Sequence, residues 1–283
     1  MTDRAALSAE IMRLAGVWGD FRVLSLRAER ELAAVFRCPA RDVELAALDA
    51  GVVPCRYLRN IGTLGSDGQA RLLRSTVAVV GLGGLGGYVA EALARMGIGR
   101  LIMIDGDVFE EHNLNRQLFS SEAVLGQAKA LVAQQRIAEV NGAVEVIAYA
   151  TTLTSQNATT LLAGADVVVD ALDRLPTRLL LQDAAQKLGI PMVHGSIAGF
   201  LGQAMSILPE DGGLRKLYGV AEGLPEQGLE AHLGTPAATP MAVAAWEVQE
   251  VIKILTGRNT LLRHRLLVMD MEGNVVEILS TGG

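Results

Sequence analysis

Val77-Ala78-Val79-Val80-Gly81-Leu82-Gly83-Gly84-Leu85-Gly86-Gly87 decides how this chain folds. Four small or β-branched apolar residues run without a break into a cluster of glycines, and an apolar-periodic segment follows: Tyr88, Val89, Ala92, Leu93, Met96. An apolar run bounded by glycine suits a strand covered on both faces, and the later spacing suits a helix. Gly81, Gly83 and Gly86 fit G-x-G-x-x-G, in which glycine permits a tight turn and lets backbone approach a phosphate at the helix N-terminus. The next apolar run, Leu101-Ile102-Met103-Ile104, ends in Asp105, a carboxylate placed to bond a ribose hydroxyl. Loop, strand and acid in register predict a nucleotide-binding βαβ unit.

The 283 residues suffice for one large α/β domain with a small appendage. A net charge of −6 supplies no basic footprint, so no nucleic-acid partner is expected. Two cysteines, Cys38 and Cys55, make no disulfide framework and no C-x-x-C zinc site, and a cytoplasmic protein with reduced thiols is the simplest expectation. The longest uncharged run, Leu188 to Pro209, is broken by glycines, prolines, Ser196 and Gln203, so no membrane span is expected.

Upstream, residues 4–50 read as three short helices with Leu7, Ile11, Leu14, Leu32, Val35 and Phe36 on their apolar sides, and with Trp18 and Phe21 as core anchors between the first two. Gly51-Val52-Val53-Pro54 reads as a linker, which divides the chain into an N-terminal helical extension, 1–55, and a main domain, 56–283. A short helix over Gln69–Arg74 feeds the first strand. Downstream, a helix is expected from about Gly126 to Val140, carrying Lys129. Strands follow at Val144–Ala148, at Ala165–Asp170 and at Ile190–Val193, the last leading to His194. The helix from Thr177 to Leu188 puts Arg178 and Lys187 on its wet side. His112, His194 and His232 lack metal-ligand spacing and read as structural. Pro209 to Ala238 is a long loop of the functional or mobile kind. Thr239-Pro240 starts a helix that ends before Gly257, and a hairpin turns at Glu272-Gly273. The fold class is therefore α/β: a Rossmann-like, mostly parallel sheet with flanking helices, a C-terminal antiparallel extension and a small N-terminal helical appendage.

Arg116 and Lys129 follow the second strand, which places positive charge beside a nucleotide's phosphates. Asp173 lies just past another strand's C-terminal end and suits Mg²⁺, which prefers carboxylate, phosphate and water oxygens. Two cations and a metal around a triphosphate serve phosphoryl or nucleotidyl transfer, where charge stabilisation does most of the work. Hydride transfer by an NAD-dependent enzyme needs no such concentration of charge.

From about Arg56 to Leu279 the chain resembles the ubiquitin-activating-enzyme-like adenylyltransferases of the MoeB/ThiF/HesA group. The matching text is Arg56-Tyr57-Leu58-Arg59, Gly81-Leu82-Gly83-Gly84-Leu85-Gly86, Ile104-Asp105-Gly106-Asp107, Asn113-Leu114-Asn115-Arg116-Gln117, Leu125-Gly126-Gln127-Ala128-Lys129 and Asp170-Ala171-Leu172-Asp173. The segment from Gly195 to Gln203 is also similar. The resemblance implies an enzyme in which the C-terminal Gly-Gly carboxylate of a small ubiquitin-like sulfur carrier (MoaD or ThiS type) attacks the α-phosphate of MgATP. An acyl-adenylate forms and pyrophosphate leaves. It implies that Gly81, Gly83, Gly84, Asp105, Asp107 and Asn113 bind the nucleotide, that Arg116 and Lys129 stabilise phosphate charge, and that Asp173 holds the magnesium. Arg59 corresponds to an arginine that the neighbouring subunit of a homodimer supplies. The chain departs from the pattern in lacking both C-x-x-C pairs, so no zinc is expected. It has no cysteine in the later loop, which implies adenylation without a covalent cysteine step. It also carries Arg174 in place of asparagine and Asn60 in place of glutamine. Two relatives of the same fold stay open: a dehydratase that activates a carboxylate on tRNA, and a non-catalytic binding module.

Overall fold

The structure, a computed structural model, describes residues 3–219 and 230–282. The N-terminal part is not purely helical. It runs α1 (Arg4–Leu14), β1 (Gly16–Trp18), β2 (Phe21–Leu24), α2 (Leu26–Phe36), α3 (Ala40–Asp49) and β3 (Val52–Pro54). The carboxylate of Asp3 caps α1 by accepting from the backbone N–H of Ala5 and Ala6. β1 and β2 form a hairpin with Trp18 opposite Phe21, which leaves Gly19-Asp20 as a two-residue turn with Gly19 at φ +56°. That Gly-Asp pair between short apolar runs is a hairpin signal, and helical periodicity had masked it. β3, expected as a linker, pairs parallel to β2 with Val53 opposite Val23. Leu7, Ile11, Leu24, Leu32, Val43 and Val52 form the small core beneath. Trp18 and Phe21 are not core anchors: they are 60% and 40% exposed, because the short hairpin stands with both faces toward solvent there.

The rest of the chain contains α4 (Ile61–Arg74), β4 (Thr76–Val80), α5 (Gly86–Met96), β5 (Arg100–Ile104), α6 (Lys129–Val140), β6 (Glu145–Tyr149), α7 (Ala158–Leu161), β7 (Val167–Asp170), α8 (Leu175–Leu188), β8 (Met192–Ala198), β9 (Leu201–Ile207), α9 (Leu214–Tyr218), α10 (Glu230–Leu233), α11 (Ala238–Leu255), β10 (Arg265–Asp270) and β11 (Val275–Ser280). The expected helix over Gln69–Arg74 is the end of a longer one that kinks at Gly65. α11 begins at Ala238, not at a Thr239 cap; the Thr239 hydroxyl donates to the Gly199 carbonyl instead. The stretch expected as one long loop holds α9 and α10, and its residues 220–229 lie outside the described residues.

Eight strands form one sheet in the order β11-β10-β9-β8-β7-β4-β5-β6. β8, β7, β4, β5 and β6 are parallel neighbours; β9, β10 and β11 are antiparallel. Every residue of β4 is buried. Val77 and Val79 face one core with Val89, Leu93 and Val251; Ala78 and Val80 face the other with Leu179 and Ala185. This is why the opening stretch reads as continuous apolar sequence rather than alternation. After β4 the chain builds outward through β5 and β6, then returns to lay β7 on β4's other side. The strand order reverses at β4, and a ligand crevice opens at such a reversal.

Candidate functional site

A cavity of about 550 Å³ sits at that reversal, beyond the carboxyl ends of β4, β5 and β7. Gly81, Gly83, Gly84, Asp105, Asp107, Arg116, Lys129 and Asp173 all line it. Residues from three separate connections therefore converge where the sequence expected a nucleotide. Asn113 and Arg59 are not among its lining residues.

The glycine loop is shaped by close backbone contacts. Gly81 sits at φ +90°, and a Cβ there would come 2.5 Å from the Ala171 carbonyl oxygen. A Cβ at Gly86 would stand 1.8 Å from the Gly81 oxygen. These two glycines are required by the turn and by its packing on the β7–α8 loop. Gly83 is different: a Cβ there would meet only the Gln117 side chain, at 3.5 Å. The protein's own packing gives no reason for glycine at 83, and the residue faces the cavity.

Asp105 holds the loop from the other side. Its Oδ2 accepts the Leu82 N–H at 2.7 Å, and its Oδ1 accepts the Asp107 N–H at 2.8 Å. Burial pushes the Asp105 carboxyl above its ordinary value, although the two N–H groups and the Lys129 ammonium pull the other way. Lys129 opens α6, buried, with its Nζ 3.1 Å from the carboxylate of the exposed Asp107. The main chain reinforces this pairing, since the Lys129 N–H donates to the Asp107 carbonyl at 3.0 Å.

Arg116 is held to its own loop, donating to the His112 carbonyl at 3.0 Å and to Asn115 Oδ1 at 2.9 Å. Its aliphatic stem lies on Gly84, where an added Cβ would be 3.3 Å from Arg116 Cγ. Burial lowers the Arg116 pKa, with Asp173 opposing. Asn113 is buried beneath this loop and braces it. Its Oδ1 accepts the Glu110 N–H, and its carbonyl accepts the Arg116 and Gln117 N–H groups. Arg59 is exposed in the turn before α4, outside the cavity of its own chain.

Several site residues escaped the sequence reading. Thr151 and Thr152 line the cavity beyond β6, and Ser196 lines it from β8. Arg178 was expected on the wet side of α8, yet it is buried and reaches the cavity wall. Its Nη1 donates to the Gly195 carbonyl at 2.8 Å, its Nη2 donates to the Leu172 carbonyl, and it stands 3.5 Å from the Asp170 carboxylate. His194, read as structural from its spacing, is fully buried with Nδ1 2.7 Å from Asp170 Oδ2. Burial alone would raise the Asp170 carboxyl, but Arg178 and His194 outweigh it and hold it below the usual carboxylate range. Burial also lowers the His194 pKa against the pull of Asp170, and Nδ1–H is the arrangement that serves Asp170. The signal in the sequence was Asp170 itself: a carboxylate ending a buried strand requires a buried donor.

The family model for the ThiF family matches residues 57–281. This chain belongs to the ThiF family. It is 39% identical over 220 residues to the "SAMP-activating enzyme E1" of Haloferax volcanii, covering 76% of this chain and 80% of that protein. It is 35% identical over 275 residues to the mouse "Adenylyltransferase and sulfurtransferase MOCS3", covering 95% of this chain and 60% of that one. The chain thus spans most of the archaeal relative and under two thirds of the mouse relative. Among solved structures, E. coli MccB superposes with a TM-score of 0.68 at 22% identity, covering 80% of this chain and 69% of that one, a likeness of fold. The α/β ThiF-family architecture expected from the sequence is the one observed.

Proposed function

We propose that this ThiF-family chain is an ATP-dependent adenylyltransferase that activates the C-terminal Gly-Gly carboxylate of a small ubiquitin-like sulfur carrier, releasing pyrophosphate and leaving an acyl-adenylate. One observation carries the reading: Gly83, Asp105, Arg116, Lys129 and Asp173, from three separate connections, line one cavity at the switch point of the sheet. The relatives, an activating enzyme and an adenylyltransferase by name, support it.

The chain's own groups divide the work. The N–H groups of the glycine loop and the N-terminus of α5 receive phosphate oxygens, which accounts for the glycine at 83. Each Asp105 oxygen spends one lone pair on the loop and keeps another to accept a ribose hydroxyl. Lys129 exchanges its contact with Asp107 for a phosphate oxygen as ATP enters. Arg116, tethered on one side, directs its remaining donors at the phosphates. Positive charge fixed before the reaction stabilises the charge that builds as the carboxylate attacks the α-phosphate.

Asp173 fits magnesium. It is an exposed carboxylate at the cavity wall, and no group of three or more His, Cys, Asp or Glu able to hold a metal occurs among the described residues. A single carboxylate beside phosphates and water suits Mg²⁺ and does not make a protein-only cage. When bound, the ion neutralises charge on the departing pyrophosphate.

The reading includes a homodimer in which Arg59, exposed and away from its own cavity, serves the neighbour's site, and it includes a cytoplasmic location. Among the described residues no helix is long and apolar enough to cross a membrane. The test is pyrophosphate exchange into ATP in the presence of purified MoaD- and ThiS-type carriers ending in Gly-Gly. Exchange that requires the carrier and its terminal glycine supports the proposal; no carrier-dependent exchange with any of them refutes it.

A further inference from the structure

We propose that Arg178 is a positioning residue: from beneath the cavity it ties the loop bearing Asp173 to β8, and its charge is held there by Asp170 and, through Asp170, by His194. The geometry carries this. One guanidinium donates to the Leu172 carbonyl, adjacent to Asp173, and to the Gly195 carbonyl, adjacent to Ser196. Asp173 and Ser196 are both cavity residues on different segments, and Arg178 is bonded to the residue before each. The fork of a guanidinium bridges two carbonyls at fixed separation, which a lysine ammonium, a single point donor, does not reproduce.

Burying that cation requires a counter-charge. Asp170 supplies it at 3.5 Å, and Asp170 is itself buried, with its Oδ1 accepting the Leu172 N–H at 3.1 Å and its Oδ2 held by the His194 ring. Both the N–H and the C=O of Leu172 are therefore fixed by this cluster. Asp173 follows directly and is exposed. An imidazole is a suitable third member: in its neutral form it gives Asp170 an N–H without placing a second cation beside Arg178.

The inference rests on the nucleotide reading only for its metal-dependent readout, so the experiment has two arms on the full chain. In the first, amide hydrogen exchange is followed in ligand-free wild type, Arg178→Lys and His194→Gln, with the β4 amides as internal reference. Arg178→Lys should speed exchange at 172–174 and 195–197 by about tenfold, the loss of one hydrogen bond to a charged group, and leave β4 unchanged. His194→Gln, which keeps both carbonyl bridges, should give a smaller rise in the same segments. If Arg178→Lys fails to fold, His194→Gln decides; unchanged loop exchange in the folded variants overturns the proposal.

In the second arm, ATP affinity is measured calorimetrically with and without Mg²⁺. Arg178→Lys should keep the metal-free affinity and lose the gain that Mg²⁺ brings. Asp173→Asn should lose the same gain, and the double variant should lose no more than Asp173→Asn alone. Losses that add overturn the proposal, because Arg178 would then act elsewhere than through Asp173. A wild type that binds no ATP refutes the nucleotide reading, and the exchange arm then judges the inference by itself.

Discussion

Replacing Asp105 by Asn changes one atom and separates two roles that the site combines. The carboxylate accepts two backbone N–H groups, Leu82 at 2.7 Å and Asp107 at 2.8 Å, one on each oxygen. An amide has a single carbonyl oxygen, so one of these N–H groups would face an NH₂ and lose its acceptor. Losing a hydrogen bond to a charged group, with a part-buried donor left unsatisfied, costs about 1.5–3 kcal/mol. At roughly 2–4 °C per kcal/mol for a chain approaching this size, the melting temperature should fall by about 3–12 °C. The same change removes the charged acceptor for a ribose hydroxyl, which should weaken ATP binding roughly 10- to 100-fold. Differential scanning fluorimetry reads the first effect and calorimetric titration with ATP reads the second. A variant that melts with wild type refutes the bracing role assigned to Asp105. One that melts lower but binds ATP unchanged refutes the ribose assignment alone.

Three further outcomes are expected. Lys129→Met should fold, since the salt bridge of Lys129 is to the exposed Asp107, while carrier-dependent pyrophosphate exchange falls roughly 10²- to 10³-fold, as for loss of one preorganised charge donor. Burial, then the neighbouring Glu29, raise Glu44 from its ordinary 4.5 to about 8 against the pull of Arg56 and Tyr57. A carboxyl raised in the folded state contributes stability that is complete below its unfolded value and is lost as pH rises through its folded value. Wild type should therefore lose melting temperature between about pH 4.5 and pH 8 more steeply than Glu44→Gln, and parallel profiles would show that folding does not raise the Glu44 carboxyl. Trp18→Ser should shift unfolding free energy by no more than about 0.5 kcal/mol in urea titration, because the 60% exposed ring sits on no core; a larger loss would mean the ring is covered in solution.

The parts legible in sequence were those whose signal is local. Val77–Val80 with its glycines announced a buried strand and a ligand turn; Asp105, Asp107 and Asp173 sat just past strand ends, and Arg116 and Lys129 followed in the long connection after β5. A parallel sheet gathers strand ends at one edge, so residues in that position meet whatever their separation along the chain. The Gly19-Asp20 hairpin was legible too and was hidden by a helical pattern laid across it. Gly51–Pro54 read as a linker because three residues hold too little pattern to show that β2 would pair with them.

What the sequence determined by itself, then, is the architecture and most of the charged groups around the cavity, since strand periodicity, glycine turns and strand-end acids are properties of consecutive residues. Tertiary structure alone decided which way the long polar side chains turn. Arg178 and Lys187 both fit the outer face of one helix on paper, yet Arg178 is buried because Asp170 on β7 and His194 on β8 stand beneath it. A charge enters the interior only where its counter-charge and hydrogen-bond partners already wait, and those partners came from strands that no local pattern connects to α8.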